Sequence, residues 1–184
     1  LDLLATLRRQ RQMCIRDSAN GIHHGSFRFE QGNPELGTEW ALEGRLSLDN
    51  GSRSMGWGWN AQAFAALHQG FISITPSAQF APISHAGQIY EFRANDAFRT
   101  GLEAEVRHIM ERQTLSFTGS TLGQWDLQTG LGLPFTTPSQ VRLSWERRAR
   151  EGFAVQLSGF AVAPAVLTAR NEDTTPGALL ADIT

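Results

Sequence analysis

Lysine is absent from the 184 residues, and all 16 basic side chains are Arg. No single surface chemistry excludes Lys while keeping Arg, so the bias points to a GC-rich coding sequence. A formal charge of −2 leaves no basic footprint for nucleic acid. The one cysteine, Cys14, rules out an internal disulfide and a Cys-rich metal site. No apolar run reaches the roughly 18 residues of a transmembrane helix. Membrane-spanning strands remain open, because alternation dilutes their apolar residues two-fold. No Ser-His-Asp spacing, phosphate loop or His-x-x-x-His signal occurs, so neither an enzyme nor a cofactor is expected.

What the chain does contain is alternation. Between Trp40 and Leu67 two long segments are folded back on each other at Asn50-Gly51. In the first, Leu42, Gly44, Leu46 and Leu48 alternate with Glu43, Arg45, Ser47 and Asp49; in the second, Trp57, Trp59, Ala61, Ala63, Ala65 and Leu67 alternate with Gly58, Asn60, Gln62, Phe64 and Ala66. Side chains alternate faces along a strand, so each segment has an apolar face and a mostly polar one. Each is about 9–11 residues long, the length of a tilted strand that crosses a membrane, whereas strands of soluble proteins run about 5–6.

The first eighteen residues read differently. Gln12-Met13-Cys14-Ile15-Arg16-Asp17-Ser18 looks like the translation of a transposase adapter used in sequencing libraries. Residues 1–18 are therefore expected to be an assembly artefact that packs poorly against the rest. The competing reading is a natural Arg-rich amphipathic segment, with Leu3, Leu4 and Leu7 at helical spacing.

The remaining chain, 19–184, repeats the alternating unit. Asn33-Pro34-Glu35 is predicted to turn. His68 to Phe92, with Pro76, Pro82 and Gly87, reads as a long irregular loop. Leu102, Ala104, Val106 and His108 then form one face of a third long strand, against Glu103, Glu105 and Arg107 on the other. Glu111-Arg112-Gln113 is short enough for a hairpin turn, and Leu115 to Trp125 returns. Asp126 to Pro138 is a longer loop. Val141, Leu143 and Trp145 alternate with Arg142, Ser144 and Glu146; after a turn near 150, Phe153 to Ala161 alternates again. Pro164 to Gly177 is a loop, and Ala178 to Thr184 opens another strand. Short and long connections thus alternate, as in up-and-down outer-membrane barrels. Trp40, Trp57, Trp59, Trp125 and Trp145 fall towards strand ends, where aromatic rings suit the boundary of lipid and water. The predicted fold class is all-β: an antiparallel up-and-down meander forming a partial transmembrane β-barrel, curved and with two unpaired edges. A soluble β-sandwich that binds carbohydrate, and a passive outer-membrane porin, are the alternatives.

Several loops carry a likeness. Gly21-Ile22-His23-His24-Gly25, Arg28-Phe29-Glu30-Gln31-Gly32-Asn33-Pro34-Glu35-Leu36 with Glu39, Phe71 to Pro76, Asn95-Asp96-Ala97 with Gly101-Leu102-Glu103, Leu133 to Pro138 and Asn171 to Gly177 resemble, in that order, segments of the TonB-dependent outer-membrane receptors. The likeness covers residues 19–184. It implies a section from the later part of a barrel of about 22 strands, about seven or eight of them here, with the plug domain absent. It also implies the bacterial outer membrane as location and lipid, the plug, the TonB complex and an imported ligand (an iron chelate, metal or cobalamin) as partners.

The candidate site residues follow from both arguments. His23 and His24 in a predicted external loop, and the isolated His85, are candidate ligand contacts, since neutral imidazole binds transition metals. Adjacent residues of an extended chain point to opposite faces, so a solvated or structural role competes with a shared metal ion, and no metal site is assigned. Glu43, Arg45, Glu103, Glu105, Arg107 and Arg142 fit a polar lumen as partners in interior hydrogen bonding. Glu103 and Glu105 come from one strand and cannot flank a glycosidic bond.

Overall fold

The computed structural model describes residues 2–10, 20–23, 28–51, 55–81, 87–149 and 152–184. Ten strands form a single sheet, and no helix occurs among the described residues. They are β1 (Asp2–Gln10), β2 (Asn20–His23), β3 (Arg28–Gln31), β4 (Glu39–Asn50), β5 (Gly56–Phe80), β6 (Gln88–Met110), β7 (Gln113–Asp126), β8 (Gln140–Arg148), β9 (Ala154–Val162) and β10 (Ala178–Ile183). From β4 to β10 they pair antiparallel in chain order, β1 lies beside β4, and the sheet ends on β1 and β10 without closing. The predicted meander with two edges is the fold observed.

Residues paired across neighbouring strands point to the same side, so the register decides what each face carries. Leu46, Ala63 and Leu102 share one row, and Trp59, Val106, Phe117 and Leu143 share another. The apolar phase of every long strand thus falls on one face. No second layer covers it: Leu46 is 37% exposed, Trp59 41%, Val106 38% and Leu143 53%. A sandwich would require a second sheet over these residues, and all ten described strands belong to this one.

Aromatic residues mark both ends of that face. Trp57 stacks on His108 with ring centroids 4.4 Å apart, and His108, Leu115 and Trp145 continue the row. At the other end Phe98 stacks on Trp125 at 6.0 Å, in register with Leu67. Along β5, β6 and β7 the two rows are ten residues apart, from Trp57 to Leu67, Phe98 to His108 and Leu115 to Trp125. At about 3.3 Å per residue that is about 33 Å along the strand; at the tilt of about 40° typical of outer-membrane barrel strands it would correspond to a band about 25 Å tall, the height of their apolar band.

The structure departs from the sequence reading in two places. Residues 68 to 92 are largely strand: β5 continues to Phe80 and β6 begins at Gln88. Register shifts between His68 and Phe71 and between Pro76 and Phe80 break the two-residue period, so the continuation loses its signature in sequence. Gly70, at φ 68°, takes the first shift in a conformation that suits glycine. The second departure is β1, which lies within the segment expected to pack poorly yet pairs with β4 from Asp2↔Ser47 to Gln10↔Glu39. The unpaired groups along the β4 edge accept whatever extended chain lies beside them.

What core there is sits at the long-loop end. Leu36, Ala66, Ala97, Leu133 and Ala169 are buried there, with polar His68, Ser73, Ser77, Gln124, Asp126 and Thr136. The chain before β4 helps to close this end: β3 pairs parallel with β6 at Phe29↔Ile89 to Gln31↔Glu91. The predicted turn at Asn33-Pro34-Glu35 is present, with Glu35 N donating to Asn33 Oδ1 at 2.9 Å and Asn33 Nδ2 to Phe92 O at 3.2 Å.

Candidate functional site

The second phase of the same strands builds the opposite face. Glu43, Arg45, Glu103, Glu105, Arg107 and Arg142 all fall on it, together with Asn60, Gln62, Ser116, Thr118, Ser120 and Ser144. Arg45 Nη2 meets Glu43 Oε1 at 3.0 Å within β4. Across strands Asn60 Nδ2 donates to Glu105 Oε2 at 2.9 Å, and Arg107 Nε lies 3.7 Å from Glu105 Oε1. The Ser116 and Ser144 hydroxyls share a bond of 2.6 Å, and the Arg142 guanidinium sits over the Phe160 ring at 5.1 Å. Glu103, Glu105 and Arg142 line one shallow concavity with Asn60, Thr118 and Gln140. These pairs are part-exposed, so each contributes about 0–1 kcal/mol; their effect is to hold a wetted polar wall in order.

Towards the long-loop end this wall becomes buried. His68 Nδ1 donates to Glu39 Oε1 at 3.0 Å, with both side chains nearly enclosed, and His68 Nε2 has no partner among the described residues. The Phe71 and His68 rings pack edge to face, with centroids 5.0 Å apart. Arg99 Nε donates to Gln124 Oε1 at 2.6 Å and lies over the Phe71 ring at 5.4 Å. Asp126 accepts from Asn95 Nδ2 at 2.7 Å, Gln128 N at 2.7 Å and Thr129 N at 3.1 Å, so this buried carboxylate is satisfied from within. Beyond it a concavity of about 340 Å³ is lined by Thr75, Arg93, Asn95, Asp126, Leu133 and Arg170. No group of three or more His, Cys, Asp or Glu able to hold a metal occurs among the described residues. Of the three histidines singled out from sequence, His24 and His85 lie outside the described residues. His23 is placed by its backbone alone, in β2 opposite Arg28.

The polar phase puts the mid-strand residues on one face of the sheet. The buried cluster of His68, Glu39, Asn95, Arg99, Gln124 and Asp126 was missed, because its contacts join segments about thirty residues apart in sequence. One signal was available: the β5 alternation, carried one step past Leu67, puts His68 on the polar side.

No protein-family model matches the sequence, and no characterised protein matches it by sequence. Its shape does have counterparts. The copper transporter OprC superimposes with a TM-score of 0.76 over 98% of this chain, at 15% identity. The siderophore receptor PirA from Pseudomonas aeruginosa gives 0.62 over 98%, at 14% identity. The FrpB iron transporter from Neisseria meningitidis gives 0.59 over 87%, at 13% identity. The fold is that of a TonB-dependent outer-membrane receptor barrel. The chain spans 28%, 32% and 26% of those three proteins respectively, less than a third of each.

Proposed function

We propose that this chain is a section of the barrel wall of a TonB-dependent outer-membrane receptor that imports a scarce ligand: an iron chelate, a metal or cobalamin. The observation that carries the reading is the two-faced sheet. A continuous apolar face about 25 Å tall between aromatic rows suits the hydrocarbon of a bacterial outer membrane. The face bearing Glu43, Arg45, Glu103, Glu105, Arg107 and Arg142 suits a plug domain filling the lumen, through which the TonB complex acts. Residues 19–184 are the receptor section, and residues 1–18 carry the adapter-like sequence and are foreign to it.

Ligand contact belongs at the long-loop end. In the concavity lined by Thr75, Arg93, Asn95 and Arg170, Arg93 is paired with Glu91 and Asn95 Nδ2 donates to Asp126, which leaves the Arg170 guanidinium as the donor on offer. It suits the oxygens of a chelate better than a bare cation. His23, in β2, and His24 and His85 are further candidate contacts.

Folding in detergent micelles against plain buffer, followed by circular dichroism, tests the membrane face. A strand spectrum in detergent and aggregation in buffer are expected; a stable fold in buffer alone overturns the reading. A passive porin shares both faces, so the intact reading frame decides that point. A plug encoded upstream supports an energised receptor, and its absence from the complete gene favours the porin.

A further inference from the structure

The apolar face is not evenly filled. Across β5 to β9 one register row runs Ala61, Ala104, Gly119, Val141 and Ala161. Leu102 and Phe117 stand on either side of it. Between them lies a groove of about 500 Å³ with an almost wholly apolar lining. The hydroxyls of Thr121 and Ser139 at its long-loop end bond each other at 2.7 Å. Ser120 and Gln140 also border it, but their phase belongs to the opposite face.

We propose that this groove seats one acyl chain of a membrane lipid and holds it longer than the rest of the apolar face holds its lipids. The proposal rests on the reading that this face lies in hydrocarbon. Leu102 and Ala104 are each four residues from an aromatic row, at Phe98 and His108, hence about 10 Å from either boundary. At that depth a headgroup cannot reach the groove and a chain can. Its occupant needs no hydrogen-bonding groups, because the only hydroxyls facing it are already paired. A second copy of the chain fits poorly, since a two-fold contact must complement itself and a groove facing a groove leaves a void.

The test uses the complete receptor chain that carries this section, in nanodiscs of phosphatidylethanolamine and phosphatidylglycerol, with retained lipid counted by native mass spectrometry. A Cβ at Gly119 would meet nothing nearer than Val141 Cγ1 at 3.6 Å, so Gly119→Ile fills the groove on an unstrained strand. Ala65→Ile adds three side-chain carbons to the four of Gly119→Ile, elsewhere on that face. The expected result is one tightly retained lipid in the wild type and in Ala65→Ile, lost in Gly119→Ile. Equal retention in all three, or equal loss from both variants, overturns the proposal. So does a changed oligomeric state in Gly119→Ile with retention unaltered, which would assign the groove to a second copy. Quenching of the tryptophans by chain-brominated lipid separates the two levels. Quenching with unaltered retention removes the groove alone, and no quenching removes the membrane reading with it.

Discussion

At the scale of single residues, the polar face changes character along its length. In the middle, ion pairs such as Arg45 with Glu43 are open to solvent and contribute little. At the long-loop end the same phase is enclosed, and an unmade bond there costs more. His68 has one ring nitrogen bonded to Glu39 and the other without a partner among the described residues. Removing the carboxylate leaves both ring nitrogens buried and unpaired. Glu39→Ala is therefore expected to destabilise the fold by about 1–3 kcal/mol, while Glu39→Gln, whose amide oxygen still accepts from His68, costs well under half of that. Urea unfolding in detergent measures both, and equal losses would mean that charge rather than the bond matters. Gly101 has a different constraint. Its cross-strand partner Phe64 lies over it, and an added Cβ would run into the ring. Gly101→Val must displace Phe64, at a cost of about 1–3 kcal/mol in the same measurement.

At the scale of the strand, alternation carried most of the fold in advance. Trp57 to Leu67, Leu102 to His108, Leu115 to Trp125 and Val141 to Trp145 fall on one face as their phase predicts, because a two-residue period leaves no other choice once neighbours pair. The outer parts of β5 and β6 were hidden for the same reason. The shift at His68/Phe71 reverses the phase, and Pro76 reads as a break although it pairs with Tyr90. The assignment of faces has a direct energetic consequence. Leu102 sits near mid-height on the proposed lipid face and Ser120 at nearly the same height on the other. Leu102→Arg is expected to cost about 2–4 kcal/mol in vesicles, and Ser120→Arg to stay within about 0.5 kcal/mol. Similar costs at the two positions would mean that both faces meet the same medium.

At the scale of the whole molecule, the long-loop end is bound together by contacts that no local pattern encodes. Arg28 of β3 lies over the rings of Tyr90 and Phe135, at 5.3 and 5.5 Å. Asn171 Nδ2 donates to Pro76 O at 3.2 Å, across 95 residues of sequence. Gly132 packs so tightly on the backbone of Leu167 and Thr168 that no Cβ fits there. Glu172 joins the two long loops: its Oε1 accepts from Phe135 N at 3.0 Å and its Oε2 from Ala169 N at 2.8 Å. A carboxylate that accepts from backbone amides in both segments makes them one body. Two loops tied in this way are expected to move as a unit. Glu172→Ala should release both amides together, raising hydrogen exchange at Phe135 and Ala169 by about ten-fold or more, the equivalent of about 1.4 kcal/mol per bond lost. The strands β6 and β7 should keep their protection. Faster exchange at Ala169 alone would mean that Phe135 is held by contacts other than Glu172, Thr136 Oγ1 to Leu133 O at 2.7 Å and Gly132 N to Thr168 O at 3.1 Å among them.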